Sequence, residues 1–149
     1  MKIIGYTTRI HGAKQHEIPR SSISTDILFT NVEKEKLEML KDTEAVKTSF
    51  KFSILFKDSD KKPDKADKSE NQNEVSFEGS LLLALDKEEA KEFLKSWKKN
   101  EVPKDKVVPL YNFILKKCSV RALQLEEELG LPSHIPFPQV RSQSQPNKQ

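Results

Sequence analysis

Residues 74–97, EVSFEGSLLLALDKEEAKEFLKSW, decide how this chain folds. From Glu74 the apolar side chains Val75, Phe77, Leu81, Leu83 and Leu85 recur at every second position, with Gly79 in register. That period of two marks a strand buried on one face. The other face reads Glu74, Ser76, Glu78 and Ser80, then turns apolar at Leu82 and Ala84. At Asp86 the period changes. Asp86 with Glu89 three residues on forms an N-cap and capping box, and Ala90, Phe93, Leu94 and Trp97 fall at helical spacing. A strand therefore passes into a helix across one aspartate, and its last turn of apolar residues needs a cover from this chain, another subunit or a client.

Upstream, FKFSILF places Phe50, Phe52, Ile54 and Phe56 on one face, so this segment and the one after Glu74 form an antiparallel pair. Between them Lys57–Asn73, KDSDKKPDKADKSENQN, lacks any large apolar side chain. Such a run buries too little surface to offset the entropy of ordering it, and reads as a disordered loop. Two further strands are expected near Lys2–Ile10, with Ile4, Tyr6 and Ile10 sharing a parity, and near Ile23–Thr30, with Ile23, Ile27 and Phe29 sharing one. Residues 32–45 are charged and fit a helical turn or an excursion equally well.

Beyond Trp97 the first helix should stop near Asn100, because Pro103 pushes Val102 out of the α region. A longer helix follows from about Lys106 to Leu129, with Pro109 in its first turn and Gly130 as a left-handed cap. Its stripe is Leu110, Ile114, Cys118, Ala122, Leu125 and Leu129, and Tyr111, Phe113 and Leu115 widen it. In LPSHIPFPQV the three prolines impose an extended path, which would lay Leu131, Ile135, Phe137 and Val140 back over the body. The fold class is α+β: a four-stranded antiparallel sheet followed by two C-terminal helices. A single domain is expected over residues 1–140, interrupted by the disordered loop at 57–73 and followed by a disordered tail at 141–149.

No residue pattern points to catalysis. His11 and His16 do not share a face, and with His134 they read as surface or loop histidines. Cys118 lies on the apolar stripe and reads as a small core residue. Glu126, Glu127 and Glu128 read as a solvated helix face. With four glycines in all, no phosphate-cradling loop exists. Neither a cofactor nor a metal is expected, and the chain reads as not an enzyme. The 26 basic and 23 acidic residues interleave to a net charge of +3, which disfavours a dedicated nucleic-acid binder. The lone cysteine fits a reducing compartment, with cytoplasm as the expectation, and no window approaches the ~20 apolar residues of a membrane span. On the strand pair, Leu55, Leu82 and Ala84 would form an apolar end to an otherwise polar outer face, which marks a polypeptide-binding or oligomer surface.

Four strands, two helices and an extended proline-rich tail, together with the FEGSLLLAL pattern at Phe77–Leu85, the long last helix and the IPFP of Ile135–Pro138, resemble the SecB-like fold, particularly its diverged archaeal members. The resemblance covers roughly Phe50 to Val140. It implies an ATP-independent holdase that keeps unfolded or nascent polypeptides from aggregating and works as a dimer or tetramer. It also implies apolar grooves beside the last helix, for which Tyr111, Phe113 and Phe137 are the candidate walls. The alternative reading is a nucleic-acid or ribonucleoprotein accessory protein that uses the lysine-rich loop and tail.

Overall fold

Strand-forming alternation sorts the chain into a sheet whose two central members carry nearly all of its fully buried apolar side chains. In the computed structural model, which describes residues 1–14, 21–38, 41–58 and 73–142, four strands pair: β1 (Lys2–Lys14), β2 (Ser21–Glu35), β3 (Glu44–Asp58) and β4 (Asn73–Leu85). All pairings are antiparallel and the spatial order is β1-β4-β3-β2. Strands β2, β3 and β4 form a meander, and β1 returns to lie beside β4, which is a Greek-key arrangement. The first two strands thus become the two edges. The 57–73 segment contributes its ends, Lys57, Asp58 and Asn73, to strands, and its remainder lies outside the described residues.

Helices α1 (Lys87–Trp97) and α2 (Lys104–Leu129) follow and cover one face of this sheet. The inner row Phe50, Phe52, Ile54, Phe56, Val75, Phe77, Leu81, Leu83 and Leu85 is buried under Ala90 and Phe93 of α1 and Leu110, Ile114, Cys118 and Ala122 of α2. Gly79 keeps its place in that row because a Cβ there would stand 2.3 Å from the Thr7 carbonyl oxygen and 2.7 Å from Phe50 Cζ. The Phe50 ring lies over the bare glycine and stacks with Tyr6 of β1 at 6.5 Å. Glycine thus lets two aromatic rings meet across an intervening strand.

The edge strands depart from simple alternation. A register shift between Ile3 and Gly5 turns Ile4 outward, so Ile3 and Tyr6 face the core instead of Ile4 and Tyr6. One extra residue in a strand reverses the faces beyond it. Ile10, on the edge strand, does pair with the inward Phe77 yet remains exposed. A second shift, between Phe29 and Asn31, lets both Phe29 and Val32 pack inward, and β2 then continues to Glu35, so the charged stretch 32–45 begins and ends as strand while 36–38 and 41–43 lie outside the strands as an excursion between β2 and β3.

The capping box at Asp86 and Glu89 forms as the spacing required, with Glu89 N donating to Asp86 Oδ1 at 2.7 Å. Helix α1 closes through Asn100 at φ 58°, with Asn100 N donating to Trp97 O and Glu101 N to Ser96 O, a Schellman ending in which asparagine supplies the left-handed residue. Gly130 closes α2 in the same way, its successor Leu131 donating to Glu126 O. Helix α2 starts at Lys104, directly after Pro103, so Pro109 lies beyond the first turn rather than in it. Its exposed ring removes one backbone bond, to Asp105, from the helix ladder.

Candidate functional site

The outer face of the sheet can be read row by row from the pairing register. Leu82 sits between Gly5 and Lys47, and Ala84 between Lys2 and Ala45. Leu82 leans over Gly5, whose missing Cβ would stand 3.0 Å from Leu82 Cβ, so this chain supplies part of the cover that the apolar end of β4 needs. Leu55 does not join them. It pairs with Glu74, eight residues along β4 from Leu82, which is about 27 Å at the strand repeat. An antiparallel partner necessarily places its late residues beside the early ones of β4, and the expected three-residue patch therefore splits. Between its two ends Arg9 meets Glu78 at 2.8 Å and His11 meets Glu78 at 3.2 Å, and in the row of Leu82 itself Lys47 meets Glu33 at 3.7 Å.

The three proposed groove walls also part company. Tyr111 leans from α2 toward β2 and stacks on Phe29 at 5.3 Å with the rings nearly parallel. Phe113 leans the opposite way, edge-on to Tyr6 at 5.6 Å and with Lys117 Nζ 5.8 Å from its ring centre. Phe137 lies on neither flank and is 60% exposed. Residues 111 and 113 are two apart on a helix, about 200° around it, so one groove cannot hold both.

One groove is present at the corner where β2, α1 and α2 meet. It encloses about 290 Å³ and is lined by Ile27, Phe29, Trp97, Val107 and Tyr111, with Asn100, Glu101 and Lys104 among its polar residues and Leu28 at its lip. Of the three expected walls only Tyr111 belongs to it. Ile27, Phe29 and Trp97 were legible as apolar positions, but only the packing of α1 beside β2 brings them together. Drug-sized ligands occupy roughly 300–1,000 Å³, so this groove suits one or two side chains of an extended chain.

Two charged residues of α2 are buried where the sequence suggests exposure. Lys106 Nζ bonds Glu89 Oε1 at 2.9 Å and Asp105 Oδ2 at 3.1 Å. The hydrogen bond from Lys106 holds Glu89 below the ordinary carboxylate range, and the same bond raises Lys106. At the other end Glu126 is 1% exposed instead of solvated, and His134 Nδ1 reaches its Oε1 at 2.5 Å while the His134 backbone N–H donates to Oε2 at 3.3 Å. His134 is therefore not a surface histidine: it pins the chain after α2 onto the helix, and its Nε2 is buried with no hydrogen-bond partner among the described residues. The signal was present, because Lys106, Leu110, Ile114, Cys118, Ala122 and Glu126 recur at a strict spacing of four and all are buried.

Past that pin the arm from Leu131 to Ser142 separates. Leu131 packs on the core as expected, but Ile135, Phe137 and Val140 stand in solvent rather than lying over the body. Residues 141 and 142 are exposed, and the rest of the tail falls outside the described residues.

Cys118 is buried, its thiol pushed up by desolvation and 3.8 Å from the Tyr6 hydroxyl. Burial raises the Tyr6 phenol from 10.0 to about 12. A folded-state value above the unfolded one contributes stability that is complete below the unfolded value and lost as pH climbs through the folded one. Thermal unfolding should therefore show an alkaline loss between about pH 10 and pH 12 that Tyr6→Phe reduces, the raised Cys118 thiol keeping its own share. An unchanged alkaline limb in that variant would show that Tyr6 is hydrated.

Among the described residues no cluster of three or more His, Cys, Asp or Glu side chains could hold a metal ion, and no helix is long and apolar enough to cross a membrane. Comparison with family models, curated proteins and solved structures gives no match to this chain.

Proposed function

We propose that this chain is a SecB-like, nucleotide-independent holdase that binds unfolded or nascent polypeptide segments and works as a dimer or tetramer. The observation that carries this reading is the aromatic groove at the corner of β2, α1 and α2, open to solvent and flanked by Leu28 at 58% exposure. Its floor of Phe29, Trp97 and Tyr111 offers stacking area, and its rim of Asn100, Glu101 and Lys104 offers partners to a backbone. Stacked rings bury large area at low entropy cost, so a few side chains of varied sequence can be held without chemistry. The paired charges of the sheet, Arg9 with Glu78 and Lys47 with Glu33, favour this reading over a nucleic-acid one, since neutralised lysines and arginines do not track a phosphate backbone.

The test is suppression of aggregation of a chemically unfolded protein in the absence of nucleotide, with light scattering for the mass of the holdase. Protection at near-stoichiometric ratio is expected. Leu28→Asp should weaken it several-fold by placing a charge at the groove lip, with circular dichroism unchanged because Leu28 is exposed. Leu82→Glu should lower protection or mass through the sheet surface. A wild-type protein that protects nothing overturns the reading.

A further inference from the structure

The same chain carries an aromatic groove and an exposed proline-flanked phenylalanine that cannot meet within one molecule. The groove lies at the start of α2, around Val107 and Tyr111, whereas the arm leaves its end and is pinned by His134 at Glu126. From Glu126 back to Tyr111 the helix runs fifteen residues, about 22 Å. From His134 to Phe137 there are three residues, at most about 11 Å of fully extended chain. Phe137 falls short, and its 60% exposure agrees.

We propose that the arm of one copy, Ile135–Arg141, docks in the groove of a second copy, and that the exchange is reciprocal and closes a dimer. Pro136 and Pro138 fix Phe137 in an extended segment before it binds, so little further entropy is lost on docking. Aromatic-lined grooves are the usual receptors for such proline-flanked segments, and Trp97, Tyr111 and Phe29 line this one. A volume of about 290 Å³ takes the Phe137 ring with a flanking proline but not a longer stretch. Arg141 is the only charged residue between Ile135 and Ser142, and Glu101 at the groove offers it an opposite charge. Because both elements belong to every copy, the contact is self-complementary, and two such contacts related by a two-fold axis satisfy both molecules. This inference stands on reach, exposure and groove chemistry; because the client reading uses the same groove, arm and client compete for it and a client must displace the arm to bind.

Trp97 is the only tryptophan of the chain, so its emission reports the groove alone. In the full-length protein, raising the concentration should convert monomer to dimer by light scattering while Trp97 emission moves to shorter wavelength. Phe137→Asp changes an exposed side chain, so its circular dichroism should match wild type while its mass stays monomeric and its emission stops depending on concentration. A peptide of residues 133–142, SHIPFPQVRS, added to that variant should restore the shift, and the same peptide carrying the aspartate should not. A wild type that is monomeric throughout, or a Phe137→Asp protein that dimerises like wild type, overturns the proposal, as does a peptide that leaves Trp97 unmoved.

Discussion

Gly79→Ala is expected to destabilise the protein by about 3 kcal/mol or more, and Gly79→Val to leave no folded population, out of a total that for domains of this size is about 5–15 kcal/mol. The added Cβ would stand 2.3 Å from the Thr7 carbonyl oxygen, and a backbone atom of a paired strand cannot yield without breaking the β1–β4 ladder. It would also stand 2.7 Å and 3.0 Å from Phe50 Cζ and Cε1, forcing that buried ring out of its stack with Tyr6. The control is Gly12→Ala, in the same pair of strands, where the new Cβ meets only Ser76 Oγ at 3.3 Å. Urea midpoints should separate the two widely. Equal midpoints for the two variants would mean that Phe50 does not cross Gly79.

Glu126→Ala should cost about 1–3 kcal/mol or more, the range for leaving buried hydrogen-bonding groups without their partner. The His134 backbone N–H and Nδ1 both lose their acceptor, and the arm loses its pin. Limited proteolysis should then cut the arm beyond Leu131 faster than in wild type. His134→Leu leaves Glu126 Oε1, in a residue 1% exposed, without its side-chain partner while the backbone N–H still donates to Oε2, and should cost less than Glu126→Ala. Glu126→Ala combined with His134→Leu removes both side-chain polar groups together, and its loss should be well below the sum of the single changes. An additive double variant would show that the two side chains do not act on each other.

What was legible in the sequence follows from how locally each feature is determined. The central strands, the capping box at Asp86 and Glu89, and the glycine cap at Gly130 depend on residues a few positions apart, and all form as expected. Ile4 was misplaced because a bulge inserts one residue without a compositional mark, and a period of two cannot survive it. Leu55 was grouped with Leu82 from parity alone, whereas antiparallel register separates them along the sheet. Tyr111 lines a groove, yet its neighbours there, Ile27, Phe29 and Trp97, come from two other elements whose juxtaposition is tertiary. Glu126 hid in a run of three glutamates, where charge suggested solvent and spacing suggested burial.

The line Lys106, Leu110, Ile114, Cys118, Ala122, Glu126 advances four residues at a time on a helix of about 3.6 per turn, so it winds about 40° further around α2 with each step. Its first residue consequently meets Glu89 of α1 and its last meets His134 of the arm, on different sides of the helix. The four side chains between the two charges are small or aliphatic, and a slide of α2 by one turn would exchange each for a similar neighbour. The charges admit no such exchange: a step one way would set Leu110 against Glu89, and a step the other way would set Ala122 against His134. Lys106 and Glu126 therefore act as the two stops of a screw, fixing at once how far along the sheet and at what rotation α2 is seated.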